Sequence, residues 1–139
     1  MSARSLVHGH VAGPVLRLDD PLSFWGGFDS SSGRVIDRFH PQHGACLSGA
    51  ILFMERGRGS SSGASVLAEA IRLGTAPAAI LLLEGDAIIA TGALVAQMLY
   101  AIDCPVAAIG DRVEWQRLSA LPRLEIVARP EAVRIIEAA

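Results

Sequence analysis

At 139 residues the chain has the length of one domain, and at 51% hydrophobic it has ample material for a core, which sets it apart from disordered sequences. Its formal net charge is −2 with no basic block anywhere, so nucleic acid is excluded as a natural partner, because that needs a clustered positive face. No apolar run approaches the length of a membrane span, so no membrane partner is expected. The opening Met1-Ser2-Ala3-Arg4-Ser5 has no apolar stretch of the secretory kind behind it, and a single cytoplasmic domain over 1–139 is expected. Aromatics make up only 5%, while Ala, Leu, Ile and Val dominate, as in small helices packed on a mostly buried sheet.

Along the chain, residues 6–7 and 11–18 read as short strands interrupted by Gly9 and Gly13-Pro14, leading into a loop opened by Asp19-Asp20-Pro21. A long glycine-broken segment follows, Leu22-Ser23-Phe24-Trp25-Gly26-Gly27-Phe28-Asp29 and then Ser30-Ser31-Ser32-Gly33, before a short strand over 34–37. This segment carries three of the six Phe and Trp residues of the chain, and long irregular segments inside compact domains are usually functional or docked on something. Phe24 and Trp25 suit either the core or a contact surface.

After Cys46 the pattern becomes regular. A strand over 50–54 precedes a helix over 62–73 with Gly74 in the left-handed position behind it. A buried strand over 78–83 exits through Glu84-Gly85-Asp86 into a second helix over 88–100, with Thr91-Gly92 as a soft spot. A strand over 105–109, a more exposed strand over 124–127 and a short last helix from Pro130 to about residue 137 complete the reading. Two β-α-β units behind a strand-rich first half predict an α/β fold of three layers, β/β/α, with ligands gathering at the carboxyl ends of the parallel strands.

One such end is Gly57-Arg58-Gly59-Ser60-Ser61-Ser62-Gly63, between a strand and a helix. A turn of this kind aims hydroxyls and free backbone N–H groups at one point, where an anionic substrate can sit. Glycine and serine are also ordinary capping residues, with Ser62 and Ser65 both placed to cap the helix, yet three consecutive serines exceed what one cap requires. Glu84-Gly85-Asp86 and Gly110-Asp111-Arg112 would line the same rim.

Several chemistries are excluded by spacing. The turn lacks the Gly-x-x-x-x-Gly-Lys of a phosphate-binding loop, the Gly-x-Ser-x-Gly of a nucleophile elbow, the dinucleotide fingerprint and the histidine of a phosphocarrier. Cys46 and Cys104 are too far apart in sequence for a metal or redox pair and read as buried small hydrophobes. His8, His10, His40 and His43 have no acidic partner at metal-motif spacing, so no metal is expected on this chain.

The turn and the helix behind it, Val66-Leu67-Ala68-Glu69-Ala70-Ile71-Arg72, together with Leu22-Ser23-Phe24-Trp25-Gly26-Gly27, Asp37, His40-Pro41 and Thr75-Ala76-Pro77-Ala78-Ala79-Ile80, resemble the swivel domain, or small subunit, of aconitase X. The resemblance runs from about residue 11 to 109. It implies a hydro-lyase, a dehydratase built from a large subunit carrying an iron–sulfur cluster and this swivel part closing over it. The chain itself would bind no cofactor. In aconitases generally a serine of a Gly-Ser-Ser turn removes the substrate's proton, which here points to Ser60. Arg58, Gly59, Ser61 and Ser62 would then contact substrate, Ser61 and Ser62 with capping as their other reading. Phe24, Trp25, Gly26, Gly27, Asp37 and His40 would face the large subunit or the cleft between the two.

One departure bears on the substrate. Aconitases proper carry an arginine two residues after the reactive serine, and this sequence has Ser62 there, so the substrate is not handled as citrate is. The resemblance implies cis-3-hydroxy-L-proline as substrate, with 5-phosphomevalonate as the alternative. A free-standing module that docks small anions without chemistry is the competing reading.

Overall fold

The computed structural model describes residues 3–138. In chain order it runs β1 (Ala3–Val7), β2 (Gly9–Arg17), a one-turn segment α1 (Phe24–Gly27), the two-residue strands β3 (Phe28–Asp29) and β4 (Arg34–Val35), β5 (Ile51–Met54), α2 (Gly63–Leu73), β6 (Ala79–Leu82), α3 (Ala87–Tyr100), β7 (Val106–Ile109), α4 (Arg112–Ser119), β8 (Arg123–Arg129) and β9 (Ala132–Glu137). The main sheet has seven strands in the order β1-β7-β6-β5-β2-β8-β9. Its edge strands β1 and β9 come back against each other, so the sheet is mixed and nearly closed.

The four-residue strands β5, β6 and β7 lie parallel and are buried on both faces, and period-two alternation sorts their side chains into two cores. Leu52, Met54, Ile80, Leu82 and Val106 face α2 and α3, while Ile51, Phe53, Leu81, Ala107 and Ile109 face the inside of the curl. There they meet Leu124, Ile126 and Ala128 of β8 and Trp115 and Leu118 of α4, which plugs the curl. The β/β/α layering is therefore made by one sheet folding over itself with helices on its outer face.

Gly13-Pro14 does not interrupt β2 but marks where it changes partners. Residues 9–14 pair antiparallel with β8, and residues 15–17 pair parallel with β5. A Cβ on Gly13 would lie 2.6 Å from the Gly49 carbonyl oxygen, which explains the glycine at this close approach.

Two local expectations are corrected. Residues 132–137 form strand β9, paired with β8 over its whole length, not a helix after Pro130, because the free edge of β8 supplies backbone partners that outweigh local helical preference. β8 alternates as read and is more exposed than β5, β6 and β7, with Leu124, Ile126 and Ala128 turned into the curl. Helix α4 lies where only a loop was read, its N–H of Val113 capped by the Asp111 side chain. Its apolar residues are too sparse to show a stripe, but Trp115 is 1% exposed and donates from Nε1 to the Leu81 carbonyl oxygen at 3.2 Å.

The soft spot at Gly92 is a packing contact. A Cβ there would meet the Ala64 carbonyl oxygen at 2.7 Å, so glycine lets α2 and α3 cross closely. Helix α3 carries no charged side chain, and Leu94, Val95, Met98, Leu99 and Tyr100 on it are exposed. No helix of the described residues is long and apolar enough to cross a membrane.

Candidate functional site

At the carboxyl end of β5 the chain leaves the sheet at Glu55, whose backbone oxygen accepts from the N–H groups of Leu83 and Glu84 at 3.0 and 2.9 Å. This ties the exits of β5 and β6 together. The Glu55 carboxylate pairs with Arg112, at the exit of β7, at 3.1 Å, and the guanidinium holds that carboxyl below its ordinary range. The three loops expected on one rim are thus brought together.

Between this rim and α2 the serine turn is built on two glycines with spatial reasons. A Cβ on Gly57 would lie 2.6 Å from Oδ2 of Asp86 and 2.8 Å from Cδ1 of Ile89. Gly59 has φ of +98°, which disfavours any side chain, and a Cβ there would come 2.2 Å from the Ser23 hydroxyl oxygen. Ser23 in turn donates its hydroxyl to the Trp25 carbonyl oxygen at 2.9 Å, so the α1 segment is seated directly on the turn.

The capping hydroxyl is Ser60. Its Oγ accepts from the Ser62 N–H at 3.1 Å, and its backbone oxygen accepts from the Gly63 N–H at 3.0 Å. Ser62, directly before α2, has helical φ and ψ and makes no side-chain cap bond, so the turn uses neither Ser62 nor Ser65 as its cap. Asp86 plays the equivalent part at α3, its Oδ1 accepting from the N–H groups of Ile88 and Ile89, both at 2.9 Å.

These elements enclose an open cleft of about 230 Å³. It is lined by Gly57, Arg58, Gly59 and Ser60 of the turn, by Asp86, Ile88 and Ile89 around the start of α3, and by Leu22, Phe24 and Gly63. The volume is below the 300–1,000 Å³ usual for a complete small-molecule site, which suits a small metabolite or one half of a shared site. Ser60 and Arg58 are exposed in the cleft. Ser61 and Ser62 are exposed but stand outside its lining, where their backbone oxygens serve the first turn of α2.

The segment singled out around Phe24 divides its roles. Phe24 is buried in edge-to-face contact with Phe28, ring centroids 5.2 Å apart, and its neighbour Trp25 is 59% exposed beside the cleft. Gly26 turns the chain with φ of +83°, and Gly27 packs on Leu22 and Asp37. Asp37 uses Oδ1 to accept from the Phe39 N–H at 2.9 Å. His40 is 6% exposed and has both ring nitrogens engaged, Nδ1 accepting from the Gln42 N–H at 3.0 Å and Nε2 donating to the Asp20 carbonyl oxygen at 2.9 Å. The backbone donor at Nδ1 fixes the proton on Nε2. His40 therefore pins two loops to each other.

Cys104 is buried as expected, and burial pushes its thiol up to about 12. Cys46 is not buried: it is exposed beside Ser48, whose hydroxyl and backbone, with lesser help from Arg34, hold its thiol below the ordinary range. Among the described residues no three His, Cys, Asp or Glu side chains gather into a metal-binding group. Two features escaped the sequence reading. Asp86 was placed on the rim but not in the site, although an Asp before an apolar helix is a visible cap signal. The exposed apolar face of α3 was legible in its lack of any charge.

Comparisons with known proteins bear on this geometry. The family model described as aconitase X swivel domain matches residues 1–135. A cis-3-hydroxy-L-proline dehydratase of Pseudomonas aeruginosa is 48% identical over 129 residues, covering 88% of this chain and 22% of the relative, so the chain spans about a fifth of that relative's length. Two proteins named phosphomevalonate dehydratase small subunit are also similar. That of Methanothermobacter thermautotrophicus is 45% identical, over 69% of this chain and 73% of its own length, and that of Thermococcus onnurineus is 34% identical over 90% and 98%. Among solved structures, the crystal structure of Thermococcus kodakaraensis aconitase X in its holo form superposes with a TM-score of 0.78 at 30% identity, over 97% of this chain and 96% of that one.

Proposed function

The chain belongs to the aconitase X swivel-domain family, and from that premise we propose that it is the small, swivelling subunit of a dehydratase that removes water from a small hydroxy acid, foremost cis-3-hydroxy-L-proline. Its cleft is one half of the active site, and a large aconitase X subunit completes it. The observation that carries this reading is the position of Ser60: on the helix-entry turn, exposed in the cleft, with the Ser62 N–H aimed at its oxygen at 3.1 Å.

A serine hydroxyl acts as a base only as its alkoxide, which needs stabilisation by N–H donors or cations. The Ser62 N–H, the positive end of α2 and the Arg58 guanidinium are the local supply. In the proposed step the Ser60 oxygen takes the proton from the carbon bearing the carboxylate. The freed electron pair forms the carbon–carbon double bond as the hydroxyl leaves the adjacent carbon. Arg58 and the turn hold the carboxylate, as helix starts hold anions.

An iron–sulfur cluster belongs, in this reading, to the large subunit. The described residues of this chain do not fit one, since Cys104 is buried and no three His, Cys, Asp or Glu side chains gather among them, and the steps given to this chain need none. The preference for cis-3-hydroxy-L-proline over 5-phosphomevalonate rests on the 48% identity with the named dehydratase. Exposed Trp25 and the uncharged face of α3 are the surfaces that suit burial against the large subunit.

Co-expression with a large aconitase X subunit and assay of both substrates tests the reading. Dehydration of cis-3-hydroxy-L-proline that disappears in Ser60→Ala is the expected result. Dehydration of 5-phosphomevalonate alone would move the chain to the other substrate, and turnover of neither by a loaded complex would leave only the fold.

A further inference from the structure

We propose that the cleft selects a ligand carrying adjacent opposite charges, an α-amino acid zwitterion, and that Asp86 is the residue that takes its ammonium group. The inference rests on the reading of this cleft as the substrate site for cis-3-hydroxy-L-proline, itself such a zwitterion, and adds to it the residue that recognises the ammonium group.

The Asp86 carboxylate is divided between two tasks. Oδ1 caps α3 through the N–H groups of Ile88 and Ile89, both at 2.9 Å, which fixes the orientation of the group. Oδ2 lies against the Gly57 backbone, 2.6 Å from the point a Cβ of residue 57 would occupy, and Asp86 lines the cleft. Only glycine at position 57 leaves room for that oxygen. Among the described residues Asp86 enters no ion pair, and no buried side-chain oxygen lacks a hydrogen-bond partner, so this half-buried carboxylate is wetted rather than sealed. A carboxylate oxygen accepts and cannot donate, and a cationic N–H is its strongest complement.

The remaining charge in the lining is Arg58, on the turn that also presents Ser60. The cleft lining thus carries one cation and one anion. Next to it Glu55 and Arg112 are committed to each other at 3.1 Å and add no net charge to the rim. A phosphorylated substrate would bring several negative charges to a lining that holds one arginine and one carboxylate, a like-charge meeting with the latter that disfavours binding. A zwitterion whose ammonium and carboxylate flank one carbon brings a partner for each of these two charges, with Ser60 in the same lining.

The test compares L-proline with tetrahydrofuran-2-carboxylate, the same ring with an ether oxygen in place of the ammonium. Backbone amide shifts of residues 57–63 are followed in the 139-residue chain, both native and as Asp86→Asn. Asparagine caps helices as well as aspartate does, so α3 keeps its start while the charge is removed. L-proline binding about tenfold or more tighter than the ether, with the ratio collapsing in Asp86→Asn, is the expected result. Equal affinities, a ratio that survives in Asp86→Asn, or no movement of these amides by L-proline would overturn the proposal.

In the assembled enzyme the same variant should raise KM for the amino acid about tenfold with kcat little changed. Turnover with an unchanged KM would remove Asp86 from recognition and leave the dehydratase. A complex that turns over nothing, while the chain still selects the zwitterion through Asp86, would remove the reaction and leave the recognition.

Discussion

Gly59 and Ser23 occupy each other's space: a Cβ on Gly59 would lie 2.2 Å from the Ser23 hydroxyl oxygen and 2.9 Å from its Cβ. Residues far apart in sequence therefore lock the α1 segment onto the turn that carries Ser60. Gly59→Ala adds this clash to a left-handed backbone with φ of +98°, and should lower stability by about 1–3 kcal/mol. Thermal unfolding measures this, and pairing it with Ser23→Gly should recover the part due to the clash while leaving the part due to φ.

Ser60 can be separated from its capping role. Ser60→Asn keeps an oxygen that accepts from the N–H two residues on, as asparagine does in turns, so its unfolding midpoint should stay near that of the native chain. Turnover of the assembled enzyme should fall by about 10²–10⁴-fold in both Ser60→Asn and Ser60→Ala if the hydroxyl is the base. Ser60→Asn that retains turnover would reduce Ser60 to a cap.

The two tryptophans report on different surfaces. Trp115 is 1% exposed inside the curl and Trp25 is 59% exposed beside the cleft. In a Trp115→Phe variant the remaining emission should come from a solvent-exposed indole and be readily quenched by acrylamide. Addition of the large subunit should shift that emission to the blue and protect it. Unchanged quenching in an active complex would remove Trp25 from the interface.

The cysteines should differ sharply towards a disulfide reagent. Cys46 is exposed and its thiol is lowered by the Ser48 hydroxyl, so it should react in the native chain with a rate that rises at a lower pH than an ordinary thiol requires. Cys104 should react only in denaturant. Because Cys104 holds its proton more firmly when folded, its contribution to stability is full below the ordinary thiol range and is lost as pH climbs from there towards 12. A thiol count of one in the native chain and two after unfolding checks the assignment, and denaturant midpoints across that pH range check the sign.

The sequence by itself determined the repeating core of this protein. Three continuous apolar runs, the amphipathic stripe over 62–73 and the left-handed Gly74, whose N–H reaches the Ala70 and Ile71 oxygens, are local signals that need no knowledge of neighbours. The serine turn and its place at the end of β5 were legible for the same reason, and the family followed from motifs in order. What lay beyond local pattern was decided by pairing. Residues 132–137 have an ambiguous local pattern and became a strand because β8 offered a free edge. The α4 segment, polar but for Val113, Trp115 and Leu118, became a helix because the open curl had room for Trp115 and a carbonyl to receive its N–H. The site depended on tertiary structure most of all: Ser23, the turn carrying Gly57 and Ser60, and Asp86 belong to three separate segments, and only the closing of α1 and the start of α3 around that turn makes them neighbours. Periodicity records which side of an element is buried, and it carries no record of what that side meets.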